Sequence, residues 1–515
     1  MTFTIAGIVR TWAAETPSRP ALSEGERTVT WSDHDGRSSR VAQALLNEGV
    51  DPQDRIGILS RNSIEFFEVM LGVAKVNAVL VGVNWRLAAD EIVDVINDSE
   101  ATVLFVGPDF VIPVKEFEHR LRSVKKIVQT DGLSYGGWLD GHSEIDPMIW
   151  SDGEDVALQV YTSGTTGLPK GAMLTNANLD SIVPQFRAEL GFDSGSVNLV
   201  AMPLFHIGGS GWAIVGMVNG AHTVVVRDAD PAVILAEMAR WQITHVFLVP
   251  AAIMMVLSQP QVRRTDFPAL RYMAYGASPI TEPVLIEALG TFGCQFVQFY
   301  GMTEATGSIT LLRADEHDPR GSHAERLRSC GVPFEGVELR VVSSTTGEEA
   351  AVGEPGELWT RSAQNMKGYW RNPEASAAVM SPDGWLMTGD AAYVDADGFY
   401  YLHDRVKDMI VSGGENVYPI EVENVLMAHP AVADCAVIGV PSDRWGEEVK
   451  AVVVAVEGVD VSAAELIDFA QTRIARYKAP RTVDFCAALP RNPSGKVLKR
   501  QLREPYWREV GRQVN

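Results

Sequence analysis

His222-Thr223-Val224-Val225-Val226, Thr244-His245-Val246-Phe247-Leu248-Val249, Arg271-Tyr272-Met273-Ala274-Tyr275 and Gln295-Phe296-Val297-Gln298-Phe299-Tyr300 are four short runs rich in β-branched and aromatic residues. Each is separated from the next by a longer segment of helical period. Runs of this kind are strands, and strands that alternate with helices build a largely parallel sheet covered by helices. The same reading extends upstream to 101–106, 156–161 and 197–202, so the chain is α/β from about residue 36 to 300. Between 327 and 362 the pattern changes. Gly and Pro break up the strands, as in Cys330-Gly331-Val332-Pro333 and Gly353-Glu354-Pro355-Gly356, and this predicts a β-rich unit packed on the first. Beyond Asp404 a helix signal at Pro419–Met427, strands at 433–440 and 449–456, and a helix opened by Ser462-x-x-Glu465 predict a small α+β domain from about residue 406.

Composition narrows the function classes. With 515 residues, 46% hydrophobic and 21% charged, this is an ordinary globular chain long enough for about three structural units. The 44 Lys and Arg against 66 Asp and Glu give −22, which repels nucleic-acid phosphates and argues against a DNA or RNA partner. Cys294, Cys330, Cys435 and Cys486 lie far apart with no neighbouring His at zinc spacing, so neither a disulfide scaffold nor structural zinc is expected. No secretory signal opens the sequence, and the most apolar stretches, 69–83 and 247–257, are too short or too interrupted to cross a bilayer. The C-terminus carries neither a peroxisomal tail nor a prenylation box. A cytoplasmic protein is expected, with room left for a homodimer and for weak peripheral contact with a membrane. One segment departs from the acidic whole: residues 471–515 hold eleven Lys and Arg against three Asp and Glu, a local +8. That is either a solvated basic tail or a surface that meets a polyphosphate.

Directly after the strand ending at Tyr161 comes Thr162-Ser163-Gly164-Thr165-Thr166-Gly167-Leu168-Pro169-Lys170-Gly171. Hydroxyls, glycine N–H groups and one Lys are what a loop needs to wrap phosphate oxygens, although a Ser/Thr/Gly run is also the composition of a linker. The Walker A spacing is absent. The complete string resembles the phosphate-loop signature of the adenylate-forming superfamily, which comprises acyl-CoA synthetases, luciferases and the adenylation domains of peptide synthetases. Tyr300-Gly301-Met302-Thr303-Glu304, Thr388-Gly389-Asp390, Asp404-Arg405-Val406-Lys407-Asp408, Ser412-Gly413-Gly414-Glu415-Asn416 and Asn492-Pro493-Ser494-Gly495-Lys496 follow in the order of that family. The resemblance runs from the early Thr30-Trp31-Ser32 segment to Lys496 and is closest to the acyl-CoA synthetase, fatty-acid–CoA ligase branch. It implies a large N-terminal adenylation domain (1–405) of mostly parallel sheets with a small β-barrel-like unit, and a small mobile α+β C-terminal domain (406–515).

The resemblance also implies roles, each with a physical reason. Carboxylate attack on the α-phosphate of ATP gathers negative charge, so cations and fixed donors are needed there. Thr162, Ser163, Gly164, Thr165, Thr166, Gly167 and Lys170 would hold the β- and γ-phosphates, Thr303 the α-phosphate, and Glu304 would ligate Mg²⁺, which prefers hard oxygens. Taken alone, a Thr-Glu pair is a helix cap. Asp390 and Arg405 would bind the ribose, Gly276, Ala277, Ser278 and Tyr300 would flank adenine, and Gly301 and Met302 would belong to the same ATP site. Otherwise Asp390 is a turn residue and Tyr300 a core aromatic. Lys496, a plain turn cation by itself, would swing in to the substrate carboxylate and α-phosphate. Lys407 would be the hinge between the half-reactions, and Ser412, Gly413 and Gly414 would line the pantetheine path of coenzyme A.

His206, Gly209 and Trp212 occupy the expected acyl pocket, where His206 has an equally good structural reading. The segments 202–216, 272–280 and 299–310 contain no Lys or Arg, which disfavours diacids, and His206 replaces the Asp that would meet an amino-acid ammonium. An apolar monocarboxylic acid remains: a medium- to long-chain fatty acid first, an aryl or cinnamate-type acid second. Competing classes are a noncatalytic acyl- or nucleotide-binding module, a luciferase-like oxidative enzyme on the same fold, and a serine esterase suggested by Gly132-Leu133-Ser134-Tyr135-Gly136. The esterase reading needs a helix straight after the serine, and Gly137-Trp138-Leu139-Asp140-Gly141 predicts a surface loop instead.

Overall fold

The computed structural model describes residues 3–162, 169–278, 280–343, 345–405, 408–412, 415–442, 446–491 and 496–508. All seven runs read as strands in the α/β region are strands: Val103–Val106, Val156–Thr162, Val197–Val200, His222–Val225, His245–Leu248, Tyr272–Gly276 and Gln295–Met302. They belong to two sheets. In the first, Gln295–Met302, Tyr272–Gly276, His245–Leu248, Val197–Val200 and His222–Val225 run parallel as neighbours, and Gly307–Leu312 returns antiparallel beside Gln295–Met302. In the second, Val156–Thr162, Val79–Gly82, Arg55–Leu59, Val103–Val106 and Lys126–Gln129 run parallel, with Lys170–Thr175 antiparallel on Val156–Thr162. Every residue of Arg55–Leu59 is buried, as a parallel strand covered on both faces requires.

Each sheet thus ends its parallel run with an antiparallel return next to a candidate motif. The turn between Gln295–Met302 and Gly307–Leu312 carries Thr303 and Glu304, and the connection between Val156–Thr162 and Lys170–Thr175 carries the Gly-rich loop. The β-rich unit is a four-stranded antiparallel sheet in the order Glu338–Val342, Gly356–Arg361, Leu386–Val394, Tyr400–Arg405. After residue 408 a further sheet carries helices Pro419–Met427, Ala463–Gln471 and Lys499–Trp507, with its own apolar core around Val417, Val422, Leu426, Val437, Ala451 and Leu466. Ser462 caps Ala463–Gln471 by accepting from Glu465 N.

The structure corrects the loop reading at Ser134. Gly132–Leu139 is a helix whose N-cap Asp131 accepts from Ser134 N, and buried Tyr135 and Leu139 anchor it. Burial of one face overrides the poor glycine-rich propensity. Ser134 lies exposed inside the first helical turn, and among the described residues no base hydrogen-bonds its Oγ.

Candidate active site

A cavity of about 2620 Å³ lies between the N-terminal sheets and the C-terminal unit. Its wall includes Thr162, Ala277, Ser278, Tyr300, Gly301, Met302, Thr303, Glu304 and Asp390 from one side and Lys496 from the other. Lys496, half-buried, therefore shares one space with the residues expected to meet the phosphates. Gly276 ends the strand behind Ala277, which holds a left-handed φ of 66° that an Ala adopts only under constraint.

The ladder to Gly307–Leu312 is irregular between Tyr300 and Gly301, where a Cβ on Gly301 would stand 1.7 Å from Gly307 O, so only glycine lets the two strands close on each other. That approach drops Thr303–Ala305 into a short 3₁₀ turn and buries Thr303 and Glu304. Glu304 Oε1 accepts from Thr162 Oγ1 at 3.1 Å and from Tyr369 O–H at 2.8 Å. Among the described residues no hydrogen bond reaches Glu304 Oε2 or Thr303 Oγ1. A hard carboxylate oxygen and a hydroxyl thus remain uncommitted on residues that line the cavity. Lys170 stands with Nζ 5.2 Å from the Tyr369 ring centroid.

Tyr300 and Asp390, from different sheets, meet directly: Tyr300 O–H donates to Asp390 Oδ2 at 2.8 Å. Burial, then the Asp390 charge and the hydrogen bond to it, hold the Tyr300 phenol well above its ordinary range, so it stays protonated and donating. Thr388 and the Gly389 turn orient Asp390, whose N–H donates to Thr388 Oγ1 at 3.1 Å. Register places Arg405 as the cross-strand partner of Asp390, so the backbones of the two ribose candidates are neighbours on adjacent strands.

Next to these groups the cavity becomes apolar, walled by Leu179, Ile182 and Phe186 of helix Asn176–Leu190 and by Trp212, Ile214 and Val215 of helix Ile207–Val218. His206 is the N-cap of the second helix, and its Nδ1 accepts from Gly208 N at 3.2 Å. Burial pushes its pKa down, so the ring is neutral and the proton sits on Nε2. Trp212 is a fixed wall, its Nε1–H committed to Leu199 O at 3.1 Å.

Gly209 lets the helix start pack on the preceding loop, since a Cβ would lie 2.1 Å from Pro203 O, and it lines a small side cavity with His206, Phe247 and Ala277. Gly208 and Gly211 line the large cavity. Arg86 and Arg328, outside the three segments free of Lys and Arg, also reach the wall of that cavity. Arg86 lies over the Trp85 ring at 4.6 Å, and Trp85 meets Phe205 edge-on.

The remaining candidates fall elsewhere. Ser412 is buried in the C-terminal sheet and is not among the residues lining the cavity. Ser163, Gly164, Thr165, Thr166, Gly167, Lys407, Gly413 and Gly414 lie outside the described residues, as does 492–495 before Lys496, and the description of Arg405 stops at its backbone. Four cations of the basic tail are paired with carboxylates of the same unit: Lys478 with Glu421 (2.7 Å), Arg491 with Asp434 (2.6 Å), Lys499 with Glu423 (2.9 Å) and Arg503 with Asp408. Much of the local +8 is therefore balanced by carboxylates of 408–434. Tyr369 is the site residue that sequence reasoning missed; the only local signal was Gly368-Tyr369 after a glycine-poor stretch, which names no partner.

No helix among the described residues is long and apolar enough to cross a membrane. Residues 9–370 match the AMP-binding enzyme family and residues 421–496 the AMP-binding enzyme C-terminal domain. The chain is 38% identical over 509 residues to a fatty acid–[acyl-carrier-protein] ligase, ScoC, of Streptomyces coeruleorubidus, covering 98% of this chain and 96% of that one. It is 37% identical over 495 residues to a feruloyl-CoA synthase of an Amycolatopsis species, covering 96% and 97%. Among solved structures, ATP-bound MatB from Rhodopseudomonas palustris superposes with a TM-score of 0.90 at 28% identity, over 98% of this chain and 100% of that one. Matched along both parts of its length, the chain belongs to the AMP-binding enzymes, the adenylate-forming acyl-CoA synthetase family.

Proposed function

We propose that this protein is an ATP-dependent acyl-CoA ligase. It activates an apolar carboxylic acid as an acyl-adenylate, releasing pyrophosphate, and then passes the acyl group to the thiol of coenzyme A, releasing AMP. The observation that carries the reading is the shared cavity: Lys496 faces the same space as Thr303, Glu304, Tyr300 and Asp390, and that space opens into an apolar limb. In the first step the acid's carboxylate oxygen attacks the α-phosphorus in line with departing pyrophosphate. Lys496 and Thr303 supply the cation and the donor where charge develops, each worth most in a site that excludes water. Asp390 accepts from the ribose hydroxyls, and Tyr300 holds that carboxylate while its ring faces the base.

Glu304 would hold Mg²⁺, and its uncommitted Oε2 fits a hard ion that keeps few protein ligands. When bound, the ion neutralises phosphate charge. Residues 1–405 bind ATP and acid, and 406–515 move between the half-reactions about Lys407, carrying Ser412, Gly413 and Gly414 to the pantetheine.

A medium- to long-chain fatty acid is the favoured substrate, because the limb between the two helices is lined by branched aliphatic side chains that pair with methylenes. The second reading, an aryl or cinnamate-type acid, draws on the aromatic pair Trp212 and Phe247, with centroids 5.9 Å apart, and on the feruloyl-CoA synthase likeness. Arg86 makes dicarboxylates a necessary control. Pyrophosphate release from ATP across all three acid classes, with thioester followed with and without CoA, tests the assignment.

A further inference from the structure

Residues 362–370 tie the two halves of the phosphate site together. At one end the segment clamps the turn that carries Glu304. Met366 N donates to Glu304 O at 2.7 Å, Thr306 Oγ1 donates to Gln364 O at 2.6 Å, and Gln364 Nε2 donates to Ala305 O and Ser308 O at 3.0 and 2.6 Å. At the other end it becomes the strand Gly368–Tyr369, paired antiparallel with Lys170–Thr175, and Trp370 N donates to Gly171 O at 2.8 Å. One short segment thus sets the Thr303–Glu304 turn against the strand that leaves the Gly-rich loop.

Tyr369 stands where the two ends meet. Its hydroxyl donates to Glu304 Oε1 at 2.8 Å, while its ring lies 5.2 Å from Lys170 Nζ. Thr162, at the entry to the same loop, donates to the same Oε1 at 3.1 Å. The terminal torsion of a glutamate is broad and nearly two-fold, so an unheld carboxylate offers either oxygen in many orientations. Two donors on one oxygen break that symmetry and leave Oε2 as the oxygen free to act.

We propose that Tyr369 is a positioning residue for the metal–nucleotide complex, fixing the Glu304 carboxylate so that Oε2 is presented as the ligand for Mg²⁺. The proposal rests on the reading of this site as an ATP-dependent ligase. Groups that orient a metal ligand through a hydrogen bond are typically worth about 10- to 100-fold in metal affinity. Tyr369→Phe removes the hydroxyl and keeps the ring, the strand pairing and the contact with Lys170.

The test is calorimetric binding of α,β-methylene-ATP to the full-length protein, with and without Mg²⁺, with melting temperature as the check on folding. Tyr369→Phe should lose about 10- to 100-fold in the affinity gained from Mg²⁺ and keep its metal-free affinity within about twofold. Glu304→Asp, which shortens the ligand itself, should also lose Mg²⁺-dependent affinity and checks that Glu304 carries the metal effect. Unchanged Mg²⁺-dependent binding in Tyr369→Phe, beside a clear loss in Glu304→Gln, would overturn the role of Tyr369 and leave the ligase reading standing. Unchanged binding in both would overturn the proposal together with the assignment of Glu304 to the metal.

Discussion

Tyr300→Phe takes one hydroxyl from the cavity wall and leaves the ring in place. In the native protein that hydroxyl donates to Asp390 Oδ2 at 2.8 Å, and burial keeps it protonated. A hydrogen bond to a charged group contributes about 1.5–3 kcal/mol. Asp390 has further partners and borders a cavity that admits water, so the lower half of that range applies: about 1.5–2.2 kcal/mol, or roughly 10- to 40-fold in nucleotide affinity. If Tyr300 works through Asp390, the loss must be confined to nucleotides that offer ribose hydroxyls. Binding of ATP and of 2′,3′-dideoxy-ATP to both proteins separates the cases. ATP should weaken by the stated factor and the dideoxy nucleotide by less than about twofold, because it makes no bond to Asp390 in either protein. Equal weakening of both nucleotides would refute the coupling and reduce Tyr300 to a platform for the base.

Lys496→Ala removes a cation from the lining of the cavity that Thr303 and Glu304 also border, and acyl-adenylate formation in single turnover should fall about 10²–10³-fold. Thioester formation from supplied acyl-adenylate should persist, and equal loss of both steps would contradict alternation of the C-terminal domain. His34 is buried with neither ring nitrogen hydrogen-bonded among the described residues, and burial, then Lys75 and Arg37, pushes its pKa down to about 3. The unfolded chain takes up a proton near pH 6.5 that folded His34 refuses, so its stability contribution is full above that pH. It is lost as pH falls, by about 1.4 kcal/mol per unit. His34→Leu should melt no lower than wild type at pH 7 and lose less melting temperature between pH 7 and 5; an unchanged acid slope would show that His34 is protonated in the fold.

Seven parallel strands were legible as runs rich in β-branched and aromatic residues, helped where burial is complete, as at His245–Leu248; Arg55–Leu59, Val79–Gly82 and Lys126–Gln129, short and close to helical segments, were not read. The motif residues were legible as an ordered set, and the structure brings Tyr300, Thr303, Glu304, Asp390 and Lys496 to one cavity. What sequence could not give were contacts fixed by distant backbone. Tyr369 reaches Glu304 because Gly368–Tyr369 pairs with a strand some two hundred residues earlier, and no local period announces such a pairing. The packing of Gly209 was hidden for the same reason: glycine signals missing volume, and only the position of Pro203 O shows that backbone approaches it there. Arg86 escaped a segment-by-segment count of cations because it stands in the turn after Val79–Gly82, outside those segments, and a long side chain reaches far from its own backbone. At Ser134 the error ran the other way, since buried Tyr135 and Leu139 made a helix where propensity predicted a loop.

The measurement that bears most directly on the whole account is simultaneous quantification of pyrophosphate and thioester from ATP, Mg²⁺ and a panel of fatty, aryl and dicarboxylic acids, with and without CoA. The account predicts pyrophosphate release with fatty acids of medium to long chain, acyl-CoA and AMP only when CoA is present, and poor turnover of dicarboxylates. Absence of thioester from every fatty and aryl acid at saturating CoA would contradict it.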